Sequence, residues 1–278
     1  MANIVLTCIG NFQEYIKTNI IQLQKLGHKN IFILTNNIFF NEFNNFKNIT
    51  LIDIDTLNES YHFYSNSNLD KSFRNGFWTL TSLRFFYIYE FMKVYNINDV
   101  IHLENDVLIY YNCDCIINCF DKSYMYVPFD TLTRNISSIM YIPDSDIFKK
   151  ILDNYNYNLN DMANFSIIKQ QTGLIRNLPI FPTNNTTEEH MFVTQNFNCF
   201  NGFIFDAAAM GQYIAGGDSG EIETSGFINE TCVIKYNNYQ FVWEITDDIK
   251  RPFLITTENS KIPIFNLHIH RKNLEKYI

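Results

Sequence analysis

The sequence predicts an α/β fold: a mostly parallel central sheet flanked by helices, built as one domain over residues 1–278. Short apolar runs of strand character alternate with stretches of helical period through the first third of the chain. A hydrophobic content of 46%, with 16% aromatic residues, fills a large core and excludes a disordered chain. No Pro/Gly/Ser-rich linker and no internal repeat divides the 278 residues.

Residues 4–9 read as a buried strand. Phe12, Ile16, Ile20, Leu23 and Leu26 then recur at helical spacing, and Gly27 is placed to end that helix. Residues 31–35 and 49–54 form the second and third strands. From about 76 to 95, Trp78, Leu80, Leu83, Phe86, Ile88 and Phe91 make a broad apolar helical stripe that leads to a fourth strand at 100–103. This β-α-β-α-β cadence implies parallel pairing, with ligands bound beyond the carboxyl ends of the strands. The residues to weigh are therefore those that follow each strand. Farther on, 124–129 and 138–142 read as strands and 144–155 as a helix capped by Asp144. A short strand at 203–205 precedes a small-residue segment at 206–217, and strands are expected at 231–236, 240–245 and 262–270.

Composition removes several classes of function. A formal net charge of -8 opposes general nucleic-acid binding, which needs a surplus of Lys and Arg. No apolar run approaches the roughly 18–20 residues of a membrane span. The opening segment, MANIVLTCIG, has no basic region ahead of a short apolar core, so a cytoplasmic location without a signal peptide is expected. Cys113, Cys115 and Cys119 lack a nearby fourth ligand and zinc-like spacing, and read as ordinary reduced thiols. There is no Gly-x-Gly-x-x-Gly after the first strand, only Gly10, and no Walker-type loop. Gly217-Asp218-Ser219-Gly220 matches a serine-protease nucleophile segment, but the helix-rich front half opposes the all-β barrels that carry it.

The strongest signal lies at the fourth strand. Val100-Ile101-His102-Leu103 runs straight into Glu104-Asn105-Asp106 and resumes as Val107-Leu108-Ile109-Tyr110. Acids that interrupt a buried sheet cost several kcal/mol, roughly, unless they are paired or bind metal. Spacing of two puts both carboxylates on one face of an extended segment. Oxygen donors of this kind suit Mn²⁺ or Mg²⁺, which keep positions open for a diphosphate.

Ser82-Leu83-Arg84-Phe85-Phe86 followed by Val100 to Asp106 resembles glycosyltransferases of the GT-A fold, in which an Arg- or Lys-bearing helix leads into a strand carrying a D-x-D motif. The pattern is most similar to the glycogenin and lipopolysaccharide galactosyltransferase group, with Glu104 in place of the first Asp. A second similarity is Leu267-His268-Ile269-His270-Arg271-Lys272; in that group a C-terminal His completes the metal site and a following Lys binds the diphosphate. Strand alternation would set His268, His270 and Lys272 on one face. The resemblance implies a Rossmann-like sheet and a metal site of Asp106 and either His268 or His270, with Glu104 on the metal or on a ribose hydroxyl of the nucleotide and Lys272 on the leaving diphosphate. It further implies nucleotide contacts from Thr7, Cys8, Gly10, Asn11, Asn36, Asp53, Arg84 and Asn105.

In the back half, Asp206 and Gln212 in the small-residue segment and Asp218 just after it could read sugar hydroxyls, and Asp206 or Asp218 would serve as general base if the reaction inverts. Asn160-Asp161 stands where the resembled group carries an acid-amide pair near the transferred sugar. The expectation is a metal-dependent transferase of glycan biosynthesis, moving a hexose from a nucleotide sugar, a UDP-sugar above all, to a glycan or protein acceptor hydroxyl. Residues 1–110 would bind the donor and 111–278 the acceptor. A non-catalytic nucleotide-sugar or glycan-binding module on the same fold is the alternative, favoured by the Glu104 departure. A nucleotidyltransferase ranks below both, since it would need a Gly-rich, basic loop after the first strand.

Overall fold

The structure is a computed structural model and describes residues 1–183, 190–217 and 224–278. Strand β1 (Asn3–Cys8) leads through α1 (Ile16–Lys25) to β2 (Ile31–Thr35) and β3 (Ile49–Asp53). Helices α2 (Phe63–Asn66) and α3 (Phe77–Tyr95) precede β4 (Val100–Leu103) and β5 (Val107–Ile109). Next come β6 (Met125–Thr131), β7 (Arg134–Asn135), β8 (Ile139–Ile142), α4 (Ser145–Leu152), α5 (Asp161–Thr172) and β9 (Ile175–Leu178). Two short helices, α6 (Met191–Thr194) and α7 (Ala209–Ala215), precede β10 (Gln240–Thr246), β11 (Ile249–Ile255), β12 (Lys261–Pro263) and β13 (Asn266–His268).

The large sheet has eight strands in the order β3-β2-β1-β4-β8-β6-β7, with β9 beside β6. Pairing is parallel from β3 to β4 and between β6 and β9, and antiparallel where β8 joins β4 and β6 and where β7 joins β6. Residues alternate across β1 as strand geometry requires. Ile4, Leu6 and Cys8 pack with Ile16, Ile20 and Leu23 of α1, while Val5 faces the opposite side with Phe85, Phe86 and Phe91 of α3. Each such buried side chain contributes about 1.5–3 kcal/mol. Gly27 ends α1 as expected: it takes φ 84°, its amide donates to the Gln24 carbonyl at 2.9 Å, and the His28 amide reaches Leu23 at 3.1 Å.

The second half departs from expectation in three places. Residues 203–205 form no strand; only Ile204 bridges to Ile264. Residues 231–236 form turns, with Val233 donating to the Asp130 carbonyl at 3.1 Å. The expected strand 262–270 is two strands in different sheets, because β12 pairs with β11 whereas β13 pairs with β5. Apolar character persists through the break, since Ile264 and Phe265 are fully buried, so the hydrophobic pattern does not mark the switch. The ribbon of β5 and β13 brings the C-terminal segment back beside the turn that follows β4.

Two buried histidines stay neutral. His102 on β4 bonds the Val5 carbonyl through Nδ1 at 3.0 Å, and burial, with Arg84 nearby, lowers its pKa to about 3. His28 accepts from the Cys113 amide at 3.4 Å, and burial lowers it to about 4. Both folded values lie below the unfolded one, so the unfolded chain binds more protons and stability is lost as pH falls below about 6.5. His28→Gln keeps an acceptor for Cys113 but cannot titrate. Its urea unfolding free energy should fall less steeply than the wild type's between pH 6 and 5, by up to about 1.4 kcal/mol per pH unit. Parallel pH profiles for the two proteins would show that His28 is not buried in its neutral form.

Candidate active site

Glu104, Asn105 and Asp106 occupy a tight turn between β4 and β5, closed by the Val107 amide donating to the Glu104 carbonyl at 3.0 Å. The two acids therefore share a face through a turn and not through strand alternation. Buried polar residues hold this turn. Asn19 of α1, fully buried, donates to the carbonyls of Asn105 at 3.2 Å and Val107 at 2.9 Å. Asn105 donates to the Thr7 carbonyl at 2.7 Å at the end of β1 and also reaches Gln13. The Ile269 amide donates to the Asp106 carbonyl at 2.9 Å.

The turn lies in a cavity of about 420 Å³ bounded by Thr7 at the end of β1 and Ile9 and Asn11 after it, by Phe77, Leu80 and Arg84 of α3, and by His268, His270 and Lys272. Arg84 is buried and pairs with Glu104; its other nitrogen reaches Asp161 at 3.2 Å, and Ser137 donates to the same Asp161 oxygen at 2.7 Å. His268 Nε2 lies 3.1 Å from Asp106 Oδ2 and 3.4 Å from Glu104 Oε2. Lys272 pairs with Asp106 Oδ2. One donor atom from each of Glu104, Asp106 and His268 falls within 4.8 Å of the others, the only such group of potential metal ligands among the described residues.

Burial alone would push the Glu104 carboxyl up, but Arg84 and His268 outweigh it and hold it below its ordinary value. Burial likewise opposes ionisation of Asp106, yet His268 and Lys272 bring it well below the usual range. For His268, burial favours the neutral ring, and Asp106 reverses that so its pKa is raised. Both acids are thus carboxylates at neutral pH, and the imidazole between them is drawn toward any positive charge, proton or metal.

His268 ends β13 facing both acids, and the strand does not continue past it. His270 stacks on His268, ring centroids 4.2 Å apart, and a turn then brings Lys272 in with φ 60°. The grouping of these three residues is real, but a turn makes it where strand alternation was expected. Thr7 and Asn11 line the cavity, as do Glu104, Asn105 and Arg84. Cys8 is buried in the core behind it. Gly10 donates its amide to Asn36 at 2.9 Å, and Asp53 accepts from Asp55 at 3.0 Å and Asn37 at 3.3 Å, so Asn36 and Asp53 order the loops around the strand ends without lining the cavity.

Of the three carboxylates weighed for a catalytic part, the two described ones do not line the cavity. Asp161 is buried behind Arg84, while Asn160, not Asp161, caps α5 by accepting from Ala163 at 3.0 Å. Asp206 is fully buried beneath the cavity and accepts three backbone amides: Met210 at 2.9 Å, Gly211 at 2.8 Å and His268 at 2.9 Å. Asp218 lies outside the described residues. Sequence reasoning missed Gln13, Tyr15, Arg74, Phe77, Leu80 and Thr81 on the cavity wall, and Asn19 behind it. A signal for Asn19 was present: it shares the apolar helical face of Ile16, Ile20 and Leu23, where a polar residue must find buried partners.

No family model matches the chain, and no curated protein does. Among solved structures, the apo form of the glycosyltransferase GlyE of Streptococcus pneumoniae TIGR4 aligns over 64% of this chain at 13% identity with a TM-score of 0.43. This chain spans 44% of that protein's length. The galactosyltransferase LgtC, in complex with donor and acceptor sugar analogues, aligns over 70% of this chain and 82% of its own at 13% identity and a TM-score of 0.47. A cytidylyltransferase from Leptospira borgpetersenii aligns over 64% of this chain and 75% of its own at 12% identity and a TM-score of 0.39.

The Asp206 clamp has a steric counterpart in Gly211, where a Cβ would stand 2.0 Å from the His268 carbonyl oxygen and 2.8 Å from Asp206 Oδ2. The first obstacle is backbone, so α7 and β13 must separate to admit a methyl group. Gly211→Ala should cost about 1–3 kcal/mol in urea unfolding, the usual range for overpacking. A variant as stable as the wild type would show that α7 and β13 do not pack this closely.

Proposed function

We propose that this protein is a metal-dependent glycosyltransferase of GT-A type that moves a hexose from a nucleotide diphosphate sugar, a UDP-sugar above all, to an acceptor hydroxyl. The observation that carries this reading is the cluster of Glu104, Asp106 and His268 at the cavity floor, donors within 4.8 Å of one another, with Lys272 beside it. Two hard carboxylate oxygens and one imidazole nitrogen suit Mn²⁺ or Mg²⁺. His268 Nε2 lies 3.1 Å from an Asp106 oxygen and 3.4 Å from a Glu104 oxygen, so the three donors are already gathered around one point, where a metal would take the place of the imidazole proton. The cavity volume of about 420 Å³ falls within the range of small-molecule sites.

When bound, the metal would act as Lewis acid on the leaving diphosphate. This chain's own residues would do the rest. Lys272 would donate to diphosphate oxygens and neutralise the charge that develops as the glycosidic bond breaks. The apolar walls of Ile9, Phe77 and Leu80 would exclude water and pack on the nucleoside, and Thr7, Asn11 and Asn105 would supply polar contacts beyond β1. Arg84, braced by Asp161, would keep Glu104 ionised and aimed at the cavity. Asp161 and Asp206 are both engaged inside the fold, so neither would serve as the base of an inverting reaction, and a retaining reaction would need none. The acceptor would be a glycan or protein hydroxyl.

Incubation with a panel of UDP- and GDP-sugars, scored for free nucleoside diphosphate with and without Mn²⁺, tests the reading. Metal-dependent release from one donor is expected, whereas tight nucleotide-sugar binding without release would identify a binding module. Asp106→Ala should weaken Mn²⁺-dependent UDP binding by about 100-fold or more, a loss beyond that typical of residues that only support a metal ligand. Unchanged UDP affinity in that variant would refute the metal assignment.

A further inference from the structure

The fold brings together thiols that lie far apart in the sequence. Cys119 ends a 3₁₀ turn over Ile117–Cys119, and Cys199 ends another over Phe197–Cys199. Two contacts tie these segments to each other. Asn201 donates through Nδ2 to the Cys115 carbonyl at 2.9 Å, and Phe120 meets Phe200 edge to face with ring centroids 5.2 Å apart. Phe120 and Phe200 each directly follow one of the two cysteines. Burial pushes the Cys119 thiol up, and the nearby Cys199 sulfur adds to the rise. Cys115 and Cys199 are exposed and Cys119 is half-buried, whereas Cys8, Cys113 and Cys232 are buried. The partner that residues 113–119 lack in their own segment thus arrives from a different part of the chain.

We propose that Cys119 and Cys199 close into a reversible disulfide, a redox staple between the two turns, with a low-molecular-weight disulfide as the oxidant. Cys199, the more exposed of the two, attacks the small disulfide as its thiolate. One thiol leaves, and a mixed disulfide remains on Cys199. The Cys119 thiolate then attacks the Cys199 sulfur and expels the second thiol. The two protein sulfurs lose two electrons, the small disulfide is reduced to two thiols, and the protons of Cys119 and Cys199 end on them. A small dithiol runs the exchange backwards. Exposed disulfides are the labile and regulatory kind, and those that close long loops constrain the unfolded chain most. Cys115 also lies near Cys119, but a link between them would close only a few residues and gain little. Phe200 packs on Phe205 with ring centroids 5.5 Å apart, and Asp206 follows directly. The staple therefore holds the chain that enters the Asp206 clamp.

Oxidised glutathione added to the folded full chain tests this. After alkylation of the remaining thiols and digestion without reduction, mass spectrometry should find a cross-linked peptide joining Cys119 to Cys199. Thiols counted in denaturant should fall by two from the six of the reduced chain. The Tm should rise by at least about 4 °C and return on addition of dithiothreitol. Cys119→Ser and Cys199→Ser should each lose the link and the rise in Tm, and Cys115→Ser should keep both. Circular dichroism of the reduced variants checks their folding; should the half-buried Cys119→Ser fail to fold, the exposed Cys199→Ser carries the test. The staple is overturned if no cross-link to Cys199 forms, if glutathione remains as a lasting adduct on Cys199, or if the link joins Cys115 to either partner. A Cys119–Cys199 link that leaves the Tm unchanged overturns it as well.

Discussion

Glu104 and Asp106 stand side by side on one turn with little access to water, and ionised carboxylates in such a place cost several kcal/mol each, roughly, unless cations answer them. The chain supplies the answering charges from distant segments. Arg84 comes from α3, and His268 and Lys272 come from the ribbon and turn at the far end of the sequence. Since Arg84 is itself buried, it needs a second anion, which Asp161 provides from the start of α5. The packing of α3 against the sheet, the entry of α5 and the return of the C-terminal segment along β5 all meet at this electrostatic requirement. No single local preference would bring those segments together.

A second buried acid solves a different problem. Asp206 is answered mainly by the main chain: burial raises its pKa to about 6, and three backbone amides and His268 pull against that rise. A carboxylate that accepts three amides joins the first turn of α7 to the end of β13, two elements that share no sheet. Gly211 lets the backbones approach closely enough for the arrangement to close. His268 thus faces the acids because its main chain is fixed from behind. The side chain needs little support of its own, although His270 stacks on its ring.

The parts of this design that were legible in the sequence are those written in periodicity. β1, β2, β3, β4, α3 and the Asp144 cap of α4 stand where apolar spacing and capping chemistry put them, within a residue or two. The pairing of the acid turn with the C-terminal histidines was legible only through a resemblance, because residues 162 positions apart leave no local pattern. Periodicity failed where one apolar run serves two sheets. Ile262 to His268 is hydrophobic enough to read as one strand, and only the changes of partner from β11 to β5 divide it. It failed also for Asp206, since a small-residue segment after an acid reads equally as a ligand loop and as a closely packed helix start. The distinction between them is tertiary: Gly211 meets the His268 backbone, not a ligand.

The glutamate at the first position of the acid turn follows from the same geometry. Glu104 serves two cationic partners with its two oxygens, Oε1 toward Arg84 and Oε2 toward His268 at 3.4 Å. Arg84 is held back in the protein by Asp161 and by Ser137, whose oxygens lie 3.5 Å from the guanidinium. An aspartate, one methylene shorter, would have to give up either the guanidinium or the approach to His268. Loss of the first would leave Arg84 buried with Asp161 alone, and loss of the second would open the cluster that the turn exists to form. Asp106 needs no such reach, because Ile269 and Lys272 come to it: one bonds its carbonyl and the other its carboxylate. The unequal lengths of the two acids thus match the unequal distances of their partners, so Glu-x-Asp is the arrangement this particular scaffold requires.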